Sequence, residues 1–135
     1  MFPERLELFI DGHPAPQGSK KHVGAGRMIE MSKKLPAWRT AIETTIRDTA
    51  GDDFPAFPPP VRVTATFYLP RPKRSRYDGP YGPPDVDKLA RALGDSLQRA
   101  GLVADDSHIT QWRASKAWAD RPGAHVVIET ITPNI

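Results

Sequence analysis

Proline recurs fifteen times in 135 residues, and its placement decides where regular structure can form. Proline fixes φ and has no N–H to donate, so it is expelled from helix interiors and central strands into turns and connectors. Pro14 and Pro16, then Pro58, Pro59 and Pro60, then Pro70 and Pro72, then Pro80, Pro83 and Pro84 gather in clusters. The segments between them must carry the secondary structure, joined by long, stiffened connections. With 39% apolar residues, a core of modest size is within reach, and residues 1–135 read as one domain.

Arg5 to Ile10 alternates polar and apolar residues and meets Asp11-Gly12, a strand ending in a turn. Residues 13–34 carry Pro14, Pro16, Gly18, Gly24 and Gly26 among basic residues and read as a long loop with a short hairpin around Gly24–Gly26. Over residues 36–49, Trp38, Ile42 and Ile46 recur at helical spacing, with Gly51 and Pro55 closing the segment. Val61 to Leu69 sets Val61, Val63, Ala65 and Phe67 against Arg62, Thr64, Thr66 and Tyr68, a half-buried strand. Residues 70–84 form another loop. Val86, Leu89, Ala90, Leu93, Leu97 and Ala100 share one face of a helix over 86–100, and Gly101 suits its end. Strands follow over 108–118 and 125–131. This order predicts an α+β domain with α/β character: a small mixed sheet with two main helices packed on it.

The absence of cysteine removes disulfides, zinc–thiolate sites and thiol nucleophiles, and it fits a reducing cytosol. The start MFPERLELFI has acids where a signal peptide needs a basic start and a long apolar run. No stretch approaches the roughly 20 apolar residues of a membrane span. The formal charge of +3 by itself identifies no partner. Its distribution is more informative. Lys20 and Lys21 lie together, as do Lys33 and Lys34, and Arg71, Lys73, Arg74 and Arg76 fall close in sequence. Acids gather around Asp85, Asp87, Asp95, Asp105 and Asp106. A polyanion bridged by a cation needs both kinds of cluster, although each basic run alone also reads as a solvated loop.

Asp85 and Asp87 open the second helix. Two residues apart is about 200° of helical turn, so they share no helical face. They converge only if Asp85 is still extended and Asp87 lies in the first turn. Both also suit plain capping, because Asp favours the N-cap and the positive end of the helix dipole. Asp105 and Asp106 likewise suit a turn. Taken together, several carboxylates suit a hard divalent ion such as Mg²⁺, which prefers oxygen ligands and retains waters. One or two such ions can both activate water and stabilise charge in phosphodiester hydrolysis. Asp87, Arg91 and Asp95 are spaced i, i+4, i+8. Arg91 either meets a phosphate or forms an i, i+4 ion pair with one of those acids.

The run PDVDKLARALGDSL followed by GLVADDSHITQWRASK resembles the RusA family of Holliday junction resolvases, and the early PAPQGSKK resembles the basic N-terminal loop of its phage-type members. Asp85, Asp87, Leu89, Asp95, Leu97, Gly101, Asp105 and Asp106 match the family pattern. Ile109 replaces a valine, Arg91 a lysine and Lys88 an asparagine. The strong match covers residues 84–116, about a quarter of the chain. The resemblance implies an endodeoxyribonuclease that resolves four-way DNA junctions by paired symmetric nicks, acting as a homodimer with Mg²⁺, for which Mn²⁺ can substitute. It implies a phage or prophage origin and work in the cytoplasm of a bacterial host cell, with no membrane partner. It puts the essential acids on Asp85, Asp87 and Asp106, with Asp105 beside them as a further ligand and Arg91 as the catalytic cation. An Arg guanidinium keeps the lysine's charge but presents a planar fork. Lys20, Lys21, Arg71, Lys73, Arg74, Arg76, Lys88 and Lys116 are the expected DNA contacts. Lys116 matches a basic residue of the family strand. A regular strand puts it about 33 Å from Asp106, outside a shared metal site. Trp112 and Trp118 are expected in packing or, alternatively, in base stacking. Two other readings remain open: a non-catalytic branched-DNA-binding protein, and a structural domain in which every acid is a cap or turn residue.

Overall fold

The computed structural model describes residues 3–18, 25–75 and 77–131, with the backbone alone over 25–32. β1 (Arg5–Asp11), α1 (Ala25–Ala50), β2 (Val61–Leu69), α2 (Val86–Arg99), a 3₁₀ turn (Asp106–His108), β3 (Ile109–Trp118) and β4 (Gly123–Thr130) follow in that order. The strands form one mixed sheet in the order β1-β4-β2-β3. β2 and β3 run parallel. Parallel neighbours need a long crossover, and α2 supplies it. β4 returns antiparallel between β2 and β1, with Val63 opposite Ile128 and Leu8 opposite Val126. The expected architecture, a small mixed sheet carrying two main helices, is the one observed.

The alternation in β2 sorts the two faces of the sheet. Val61, Val63, Ala65, Phe67 and Leu69 are buried, and the residues between them are half-buried. The buried face meets Trp38, Ile42 and Ile46 of α1 and Leu89, Leu93 and Leu97 of α2 in one continuous core. α1 lies toward β1, and α2 lies toward β3. Burying side chains of that size contributes about 1.5–3 kcal/mol each against conformational entropy.

Two expectations are corrected. Helix α1 begins at Ala25, so the loop and hairpin expected through residue 34 do not exist over the described residues 25–34. Ala, Arg, Met, Glu and Lys in that stretch are good helix formers. The helix runs on through Pro36, whose lost hydrogen bond is offset by the packing of Trp38, Ile42 and Ile46. β3 is also not a regular strand: its register against β2 shifts between Val61 and Arg62, which face Ile109 and Gln111. One extra residue there, a bulge, reverses which side chains face the helices. Ile109 is buried, and after the bulge Trp112, Ala114, Lys116 and Trp118 are half-buried while Gln111, Arg113 and Ser115 are exposed.

Candidate catalytic groove and DNA-facing surface

Asp85 and Asp87 stand at the entry to α2. Asp85 is the N-cap residue, with extended backbone at φ −69° and ψ 140°, and Asp87 lies in the first turn. The capping alternative fails for the Asp85 side chain, which makes no cap hydrogen bond. Its carboxylate pairs instead with Lys88 at 3.4 Å. Asp87, Arg91 and Gly94 line a shallow groove between α2 and β3, together with Trp112, Ala114 and Asp106. The groove encloses about 500 Å³. Asp87 enters from the first turn of α2. Asp106 enters from the far end, where its backbone N–H donates to Gln98 Oε1 at 2.8 Å. Arg91 stands between these two ends along the helix, and among the described residues it pairs with neither Asp87 nor Asp95.

Asp105 does what a turn residue does. Its carboxylate accepts the Ser107 N–H at 2.9 Å and caps the 3₁₀ turn. Hydrogen bonds from Ser107 hold its pKa below the ordinary carboxylate value. Asp95 ties the helices together through Arg39 at 3.2 Å. Arg39 also donates to the Gln17 side chain. Among the described residues, no three acidic or histidine side chains stand together so as to hold one metal ion. The donors do suit Mg²⁺ in another way. Asp87 and Asp106 offer hard oxygens on one groove, and neither is engaged in an ion pair among the described residues. Mg²⁺ keeps several waters and is commonly bound by one or two carboxylates plus phosphate oxygens. The groove fits such a hydrated ion rather than a cage of three carboxylates.

The basic residues divide. Lys20, Lys21 and Arg76 lie outside the described residues. Arg71, Lys73 and Arg74 are exposed together on the segment after β2. Lys88, an expected DNA contact, is half-buried, because the N-terminal segment crosses it: Gln17 N–H donates to the Lys88 carbonyl at 3.0 Å. Gly18 sits so close that a Cβ there would stand 3.1 Å from Lys88 Cγ and 3.2 Å from an Arg91 guanidinium nitrogen. Its φ of +155° also disfavours a side chain.

Lys116 has a task that the strand spacing did not reveal. Its Nζ donates to the carbonyls of Gly82 and Pro84 at 2.7 and 2.8 Å. It therefore clamps the segment leading into Asp85. Burial lowers its pKa, opposed in part by the charge of Asp85. Trp112 is half-buried beside Gly94. The Arg71 guanidinium lies over the Trp118 ring, 5.2 Å from its centroid.

Two comparisons with known proteins bear on this arrangement. The family model described as Endodeoxyribonuclease RusA matches residues 11–129. No curated protein matches the chain.

Proposed function

The chain belongs to the RusA endodeoxyribonuclease family, and on that premise we propose that it resolves four-way DNA junctions by paired, symmetric, Mg²⁺-dependent nicks. The observation that carries the reading is the groove on which Asp87, Arg91 and Asp106 converge from two elements. Asp87 and Asp106 would hold the cation, with Mn²⁺ able to replace it and Asp85 beside them at the N-cap. When bound, Mg²⁺ would offset phosphate charge and make a water more acidic. Arg91 offers a guanidinium whose fork can bind two phosphate oxygens. Arg71, Lys73 and Arg74 would contact the DNA backbone, which positions a duplex without reading its sequence. Action as a homodimer suits the near-symmetry of a four-way junction, since a twofold axis would present two grooves. The place of action would be the cytoplasm of a bacterial host. No helix among the described residues is long and apolar enough to cross a membrane.

The test is nicking of a labelled four-way junction, with linear duplex as control. Wild type should nick the junction only with Mg²⁺ or Mn²⁺, and Asp106→Asn should bind it without nicking. Full nicking by purified Asp106→Asn protein would sink the site assignment. A second reading is favoured by the lack of a three-carboxylate group among the described residues: a junction-binding protein that does not cut. Binding by wild type with no nick under either ion would select it.

A further inference from the structure

A second depression lies beyond the N-terminus of α2. Its walls come from the N-terminal segment at His13 to Pro16, from the ends of β2 and β3 at Leu69 and Trp118, and from Tyr77, Gly79, Pro80 and Gly82 to Pro84. It encloses about 490 Å³, within the range of small-ligand sites. Three features separate it from an ordinary surface hollow. Its mouth is aromatic: Tyr77 lines it, and Tyr81 packs edge-on against Tyr77 with centroids 5.8 Å apart. The two rings are 45% and 69% exposed, two of the three large apolar side chains left open to solvent among the described residues. Lys34 and Arg74 line it along with His13 and Ser75; among the described residues no acid lines it, and Asp78 lies at its rim beside the Tyr81 hydroxyl. Its floor is fixed, because Lys116 grips the Gly82 and Pro84 carbonyls. Pro84 leads directly into Asp85.

Flat rings beside the cations Lys34 and Arg74 suit a ligand that has both a π-face and a negative charge. A nucleotide has both, and the rings can stack only on a base that is not already stacked in a duplex. We propose that this cleft receives one unpaired base of a DNA strand, stacked on Tyr77, with its phosphates toward Lys34 and Arg74. This rests on the reading of the chain as a branched-DNA nuclease, and it specifies which part of the substrate is recognised. A base within linear duplex must first be unstacked, a cost that a base already freed at a strand exchange avoids. The cleft therefore favours branched over linear DNA. Because its floor continues into Asp85, occupancy also sets which phosphodiester approaches the groove.

Binding of a short oligo-dT, compared with an abasic oligonucleotide of equal length and charge, tests the cleft without relying on nicking. Wild type should bind oligo-dT more tightly. Tyr77→Ala should weaken oligo-dT binding roughly 5- to 100-fold, leave abasic binding unchanged and abolish the difference. Tyr77→Phe should retain it. Tyr81→Ala, which removes the ring bracing Tyr77, should give a smaller loss. Both tyrosines are exposed, so the variants should melt like wild type by circular dichroism. Equal binding of the two oligonucleotides by wild type would mean that the basic rim holds phosphates only, and it would overturn the proposal. So would a Tyr77→Ala protein that binds both as wild type does. Base-dependent binding without junction nicking would leave the cleft standing and remove the nuclease reading. Nicking without base-dependent binding would do the reverse.

Discussion

At the scale of single residues, position in sequence and role in the structure come apart. Asp85 and Asp105 both occupy cap positions, yet only Asp105 uses its carboxylate as a cap. Arg91 was read as either a phosphate ligand or half of an ion pair, and among the described residues it forms no such pair. If it stabilises charge on the reacting phosphate, Arg91→Ala should lower the nicking rate by roughly 10²–10³, the usual effect of removing one such donor. Arg91→Lys should recover part of that loss. Single-turnover nicking under saturating protein separates this from weakened binding. Glu7 offers a test at acid pH. The His125 ring, 2.5 Å away, holds the Glu7 carboxyl below its ordinary pKa. A carboxylate lowered in the folded state stabilises the fold above its unfolded pKa and loses that contribution as pH falls through the folded value. The difference in melting temperature between wild type and Glu7→Gln should therefore be present at neutral pH and vanish in acid below the usual carboxylate range. A difference that persists there would show that the pair acts by packing alone.

At the scale of elements, the two helices were unequally legible. α2 has an apolar stripe with 3.6-residue periodicity from end to end, and its core residues Leu89, Leu93 and Leu97 are fully buried. Leu93→Ala should cost about 2–5 kcal/mol in urea unfolding, because the neighbours that would fill the cavity belong to a fixed sheet. In α1 the same stripe was readable only after Pro36, since proline normally ends a helix. Pro36 is exposed within the helix. Replacing it with alanine should stabilise the protein by about 1–3 kcal/mol, from the restored hydrogen bond and better helix propensity. The N-terminal segment acts as an element too, held across α2 by Gln17 and seated by Gly18. Gly18→Ala should displace the Arg91 guanidinium and slow nicking, and the strain of a side chain at this positive φ should also lower the melting temperature.

At the scale of the whole molecule, the sheet separates a core from a working edge. β2 and β4 lie inside the sheet and carry much of its buried face. β3, one of its two edge strands, brings Trp112 to the groove, Trp118 to the cleft and Lys116 beneath the cleft floor. Cations lie around the cleft and acids at the groove, so a polyanion meets attraction first and needs a counterion at the reacting phosphate. Junction affinity should fall steeply with salt, with a log–log slope that drops by about one for each phosphate-contacting Lys or Arg removed. Arg74→Ala gives the direct comparison. An unchanged slope would exclude Arg74 from the DNA path. Sedimentation at micromolar concentration should give the mass of two chains if symmetric nicks come from a dimer.

The sequence by itself determined what is local. Alternation marked β2, helical periodicity marked α2, and the preference of Asp for helix starts suited Asp85 to the N-cap and Asp87 to the first turn, where they stand. These patterns are written between near neighbours, where backbone geometry fixes which side chains share a face. Only the tertiary structure decided what depends on distant segments meeting. It set β4 between β1 and β2, carried α1 through its proline, and reversed the facing of β3 with a bulge. It laid Gly18 over Arg91 and bound Lys116 to the carbonyls before Asp85. Each of these contacts spans many residues of chain. Its formation depends on the packing of the whole core, and no local spacing records that.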